Sequence, residues 1–262
     1  MRSRLWCALV LSCCLAGSAM DAGAAVTYHG GPVIISAKVV DIFWGPSFTN
    51  PASPDYAYAQ SLIAFRNQFG TSPEYNVITQ YYQIVGGVRQ FIQLSNLASG
   101  TADWFDTSTP PVNVTDNDVR AEIQAYLATH AFNSSTIYEV FLPSTSYSSY
   151  GSGTSCGGPA LAYCTYHNFS GTGASAVKYT VQPYASCGGC QITGWTAAQN
   201  QEHLVAYSTR ATVTNPLFNA WYDSNGFEMG DKCLWSPPPF LAGAYGYPYE
   251  WSNAANKCVK TR

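Results

Sequence analysis

Charge is scarce in this chain: only 10% of its 262 residues are Asp, Glu, Lys or Arg, and the formal balance is −3 with histidine neutral. A surface that follows a phosphate backbone needs clustered cations, so a nucleic acid partner is excluded. Long apolar runs are missing too. The run from Leu5 to Leu15 is shorter than the ~20 residues a spanning helix needs, so no transmembrane segment is expected once the leader is removed. There is no Pro/Ser/Gly linker, no block of like charge and no internal repeat, and a chain of this length can be served by one core. A single domain over 25–262 follows.

What is present begins with an export signal. Arg2 and Arg4 precede the apolar run, small residues follow, and Ala22-Gly23-Ala24 supplies an A-x-A cleavage site, giving a signal peptide over 1–24. Val10-Leu11-Ser12-Cys13 also resembles a lipoprotein processing site, with Cys13 as the lipidated residue. The expected location is secreted or extracellular, with the periplasm or cell surface as further destinations. Of nine cysteines, Cys7, Cys13 and Cys14 fall in the signal, leaving Cys156, Cys164, Cys187, Cys190, Cys233 and Cys258. An even number in an exported chain points to disulfides, and joining neighbours gives Cys156 with Cys164, Cys187 with Cys190, and Cys233 with Cys258. Two other readings compete. Cys164-x-x-His167 with Cys187-x-x-Cys190 has the spacing of a structural zinc site, and Cys187-Gly188-Gly189-Cys190 that of a redox dithiol.

The β-branched run 33–44 and the segments 90–95, 137–143 and 176–182 predict strands. Apolar spacing predicts helices over 55–69, stopped by Gly70, and from Asp116 onward, with a short helical stretch over 72–82. The stretch 196–214 has no Gly or Pro and is closed by Asn215-Pro216, which predicts a long helix. Strands and helices mix without a regular βαβα rhythm, so the expected fold class is α+β, a mixed α/β arrangement of a central sheet with packed helices. Aromatics make up 15% of the chain, including 19 Tyr. That abundance suits strand and core positions first, and sugar-facing platforms second.

Several motifs occur in order along the chain. They are Tyr28-His29-Gly30-Gly31-Pro32-Val33, Tyr163-Cys164-Thr165-Tyr166-His167 and Pro183-Tyr184-Ala185-Ser186-Cys187-Gly188-Gly189-Cys190. Next come Val213-Thr214-Asn215-Pro216-Leu217-Phe218-Asn219-Ala220-Trp221-Tyr222 and Gly226-Phe227-Glu228-Met229-Gly230-Asp231-Lys232-Cys233, and last Glu250-Trp251-Ser252-Asn253-Ala254. Together they resemble the EXORDIUM, or phosphate-induced, protein family across nearly the whole mature chain. The resemblance implies an extracellular or wall-associated protein on a scaffold like that of the zincins, the zinc metallopeptidases. Many members carry a His-Glu-x-x-Glu sequence on the helix before the Thr-Asn/Asp-Pro step, in which ligands four residues apart hold zinc and the first Glu activates water.

This chain departs from that pattern. Counting back from Thr214-Asn215-Pro216, Tyr207 stands where the His would be, Ser208 at the first Glu and Ala211 at the second. A neutral phenol is a poor zinc ligand, serine is no base at neutral pH, and alanine has no donor. A shifted metal site would draw on His203, one turn before Tyr207, with Glu228 and Asp231, binding zinc or calcium. The competing role for Asp223, Glu228 and Asp231 is to hydrogen-bond the backbone of their own loop. No cofactor is expected and no catalytic residue is assigned.

Gly153-Thr154-Ser155-Cys156-Gly157 matches G-x-S-x-G, with His29-Gly30-Gly31 as an oxyanion-like loop, but the serine lies in a Gly/Ser-rich loop. The only acid between it and His203 is Glu202, next to that histidine. Carboxylate pairs for glycoside hydrolysis are not singled out by spacing. The expected function is therefore non-catalytic binding or signalling outside the cell, the partner being a cell-wall polysaccharide or an extracellular protein. Trp221 and Tyr222 are candidate contacts whose alternative place is the core. The alternative function is a secreted metal-dependent, peptidase-like hydrolase with a rearranged site.

Overall fold

The computed structural model describes residues 25–262. The signal peptide and the lipidation reading at Cys13 lie outside the described residues. The fold is α+β, built on a five-stranded mixed sheet. In chain order its strands are β1 (Lys38–Trp44), β2 (Trp104–Asp106), β3 (Thr136–Phe141), β4 (Tyr166–Ser170) and β5 (Val177–Gln182), arranged across the sheet as β4-β5-β3-β1-β2. Four strands run parallel, and β4 closes one edge antiparallel to β5. β3 and β5 are buried along their whole length, as is β1 after Lys38. Burial on both faces explains why these segments read as continuous runs rather than alternating ones.

Three helices cover the sheet: α1 (Pro54–Phe69), α2 (Asp116–Leu127) and α3 (Ala197–Thr214). Helix α1 starts at Ser53, whose hydroxyl accepts from the Asp55 amide. Capping boxes open the other two, Thr115 with Asp118 on α2 and Thr196 with Gln199 on α3. Leu62, Phe65, Phe69, Val205 and Val213 of α1 and α3 pack on one face against Val39, Phe43, Ile137 and Phe141. Val119, Ile123 and Tyr126 of α2 pack on the other, against Val40, Ile42, Tyr138 and Val140. Phe43 stacks between Phe105 and Phe141 with ring centroids 4.9 Å from each, so truncating it to Ala would cost about 3–5 kcal/mol.

The structure departs from the sequence expectations in several places. The strand expected over 33–44 pairs only from Lys38, because the amide of Ile34 is spent on Val213 O at the end of α3. The helical stretch expected over 72–82 is a 3₁₀ helix, Tyr75–Gln80. The strand expected over 90–95 begins earlier, as Val88–Phe91 of a hairpin with Tyr82–Val85. Gly70 does follow α1, but with right-handed φ of −64°. Glycine is needed there because a Cβ would stand 2.2 Å from Ser95 O. Strand–helix–strand units are present after all, β1-α1-β2 and β2-α2-β3. They are hidden in the sequence by the hairpin after α1 and by the brevity of β2.

Disulfides join Cys156 to Cys187, Cys164 to Cys190 and Cys233 to Cys258. The third matches the neighbour pairing, and the first two correct it. The cause is the β4–β5 hairpin, whose register sets Tyr166 opposite Val181. Continuing outward, the segment before β4 lies beside the one after β5, so each cysteine meets a partner across the hairpin rather than along its own loop.

Candidate functional site

Helix α3 positions the polar chemistry. It runs antiparallel to the parallel strands: Gln201 reaches Gln182 at the carboxyl end of β5, Thr209 reaches Glu139 at mid-sheet, and Val213 lies beside Ile34 ahead of β1. Fourteen of its 18 residues are buried, many of them polar. A helix buried all round is ordinarily apolar, so each polar group here must find a partner inside the protein. Arg210 ion-pairs with Glu250 at 2.7 Å and donates to Glu74 O and Pro248 O. Thr209 donates to Glu139 Oε1 at 2.6 Å. Glu139 lies in register with Asp41 on the next strand, and Arg66 of α1 reaches both Asp41 (3.3 Å) and Asp103. Burial drives the Asp41 carboxyl well above the usual range despite Arg66, and lifts Glu139 to about 7.

Tyr207, Ser208 and Ala211 share this helix. Ser208 Oγ accepts from Gln182 Nε2 at 2.7 Å and donates to Leu204 O, so it is held within the core. Ala211 is buried and offers no ligand. Tyr207 donates its phenolic hydrogen to Asp231 Oδ1. Its ring lies on Gly230, where a Cβ would come within 2.6 Å of two ring carbons, so glycine is what admits the ring there. Asp231 also accepts the Glu228 amide at 2.8 Å. Burial first, then the Glu228 charge, raises the Asp231 carboxyl to about 6.

Glu228 connects this pair to a second one. Its Oε1 accepts from Asn215 Nδ2 at 2.6 Å, and its Oε2 lies 2.9 Å from Nε2 of His167 on the edge strand β4. The imidazole packs against Phe218, 4.7 Å between centroids, and its Nδ1 is buried without a partner. Carboxylate, imidazole and amide therefore form a chain from the loop 226–231 to the edge strand and the end of α3. Such a chain holds the ring in one orientation.

The structure thus brings Glu228 and Asp231 together but sets His203 apart. His203 is buried among the rings of Trp195 and Trp235, at centroid distances of 5.8 and 5.2 Å, and burial lowers its pKa to about 3. No hydrogen bond, ion pair or ring contact joins it to Glu228 or Asp231. Among the described residues, the one group of three potential ligand atoms within 4.8 Å of one another comprises the sulfurs of Cys156, Cys187 and Cys190, all spent in disulfides. The donor set therefore does not fit zinc at α3 or at the cysteine knuckles. Asp223 accepts the Asn225 and Phe227 amides and pairs with Lys232, which makes it a loop-holding residue.

Other sequence candidates have structural places. Ser155 is fully buried and its Oγ accepts the Ser148 amide at 2.8 Å, so it presents no exposed nucleophile. His29 is exposed and stacks on Tyr222 at 3.7 Å, while Trp221 is buried and donates Nε1–H to Tyr82 O. Sequence reasoning missed Asn215 as a partner of Glu228, and saw His167 only beside the cysteines. The buried acids did leave a signal, one carboxylate inside each apolar run: Asp41 in KVVDIFW and Glu139 in TIYEVF. No family model, curated protein or solved structure matches the chain, and its reading rests on its own residues.

Proposed function

We propose that this chain is an exported EXORDIUM-like domain on a zincin-like scaffold, acting outside the cell by binding rather than by metal-dependent hydrolysis. The observation that carries the reading is the hydrogen bond from Tyr207 to Asp231, beside Ser208 bound to Gln182. At the helix positions where the resemblance would set a ligand and a base, this chain has side chains whose polar atoms are engaged with the protein itself. A buried hydroxyl with a partner is stable where it is, and needs no ion. The three disulfides suit an oxidising compartment, which accords with export. No helix among the described residues is long and apolar enough to cross a membrane.

The partner in this reading is a cell-wall polysaccharide. Aromatic and hydroxyl groups at the surface support it, with Tyr222 half-buried beneath exposed His29 as the aromatic contact and Trp221 assigned to the core. Sedimentation with insoluble wall glycan tests the reading: the purified mature protein is retained, and Tyr222→Ala weakens retention. No retention on any wall fraction would count against it.

A further inference from the structure

A cleft of about 340 Å³ opens at the amino ends of β1 and β3, on the face covered by α2 and away from the α3 cluster. It lies at the lower end of the size range of small-molecule sites. Its apolar wall is aromatic: Tyr126 and Tyr138 stand 5.7 Å apart between centroids, and the His130 ring lies flat on Tyr126 at 4.0 Å and 5°. His130 Nδ1 sits 2.9 Å from Tyr126 O at the end of α2, which fixes the ring and leaves Nε2 free of that contact.

Lys38 lines the same cleft. It is the first residue of β1, in register with Thr136, which places its side chain on the face of Val40 and Tyr138. Its ammonium lies against Gly100, where a Cβ would be 3.2 Å from Nζ, and the left-handed φ of 69° at Gly100 also favours glycine. No carboxylate pairs with Lys38 among the described residues. The acid whose charge reaches Tyr126, Asp103, is already taken by Arg66. A half-buried lysine with no counter-ion among the described residues, set in a preformed cleft beside the partly exposed His130 ring with Tyr126 and Tyr138 buried behind it, calls for an anion on a compact body that can rest on that imidazole.

We infer that this cleft binds a carboxylate carried on a single ring, of the size of an acidic monosaccharide, with Lys38 holding the carboxylate and the Tyr126–His130 stack holding the ring. This site is independent of the reading of α3, and either can fail without the other. Calorimetric titration of the purified mature protein with D-galacturonate, D-galactose and acetate tests it. Saturable binding of galacturonate at millimolar concentration or tighter is expected, with galactose and acetate both much weaker. Lys38→Met should weaken galacturonate by about tenfold or more, the loss of one charge-assisted contact. Lys257→Ala, an exposed lysine on a distant hairpin, should leave it unchanged. Absence of saturable galacturonate binding would overturn the inference. So would equal binding of galactose, equal binding of acetate, or a folded Lys38→Met protein that binds as before.

Discussion

Tyr207 of α3 donates its phenolic hydrogen to Asp231, which also accepts the Glu228 amide, so one half-buried carboxylate ties the helix to the loop that follows it. Removing that donor leaves the acceptor with one partner fewer. Tyr207→Phe is therefore expected to lower unfolding stability by about 1–3 kcal/mol, read from urea denaturation, without changing the fold seen by circular dichroism. An unchanged midpoint would mean that the hydrogen bond contributes nothing.

The buried acids give the protein an unusual pH response. Burial lifts Glu139 from 4.5 to about 7, Glu202 to about 7 and Asp231 from 3.8 to about 6. Over each interval the unfolded chain has released a proton that the folded chain keeps, so stability falls as pH rises through it. His203 acts in the opposite sense. Lowered from 6.5 to about 3 by burial, it adds stability as pH rises through that range and nothing further above it. The three acids outweigh one histidine, so the denaturation midpoint is expected to be lower at about pH 8 than at about pH 5. Glu139→Gln keeps an acceptor for Thr209 and should flatten the difference. A midpoint that climbs toward alkaline pH would contradict these proton assignments.

Arg66 is the cation shared by Asp41 and Asp103, and it is itself buried. Arg66→Met takes from Asp41 the one charge that opposes the effect of its burial, and a loss of about 3–5 kcal/mol is expected at alkaline pH, where the carboxylate is ionised. Adding Asp41→Asn should restore part of it, because the residual charge is then gone. If the double variant is as unstable as the single one, the loss comes from packing by the Arg66 stem and not from charge.

Peptide mapping under non-reducing conditions should recover Cys156 linked to Cys187 and Cys164 linked to Cys190. Replacing Cys164 and Cys190 together with Ala should lower stability by about 2–4 kcal/mol, the usual worth of closing a loop of this length. Recovery of a Cys187–Cys190 peptide would contradict the hairpin geometry that pairs them otherwise.

The elements carrying strong local signals were the legible ones. The apolar runs at 137–143 and 176–182 became β3 and β5, and Thr196, Gln199 and Asn215-Pro216 bracket α3. What sequence could not supply was register. Tyr166–Ser170 is half-buried along its length and too polar to read as a strand, yet it forms the edge that brings His167 to Glu228 and brings the cysteine segments together. The site was visible in part for the same reason. Glu228 and Asp231 stood out as neighbours in one loop, while His167, Asn215 and the Asp41–Glu139–Arg66 group meet only through contacts across the sheet and helices. His203 sits one turn from Tyr207 as helical spacing requires, but its ring goes to Trp195 and Trp235. Periodicity fixes where along a helix a side chain stands, and tertiary packing decides what it touches.

The proposal that Tyr207 and Ser208 of α3 are engaged with the protein itself and hold no metal is tested most directly by metal content. Elemental analysis of the purified mature protein, after dialysis against zinc and then against metal-free buffer, is expected to give well below one zinc per chain. One equivalent of zinc that is retained through dialysis and lost in Asp231→Ala would contradict it.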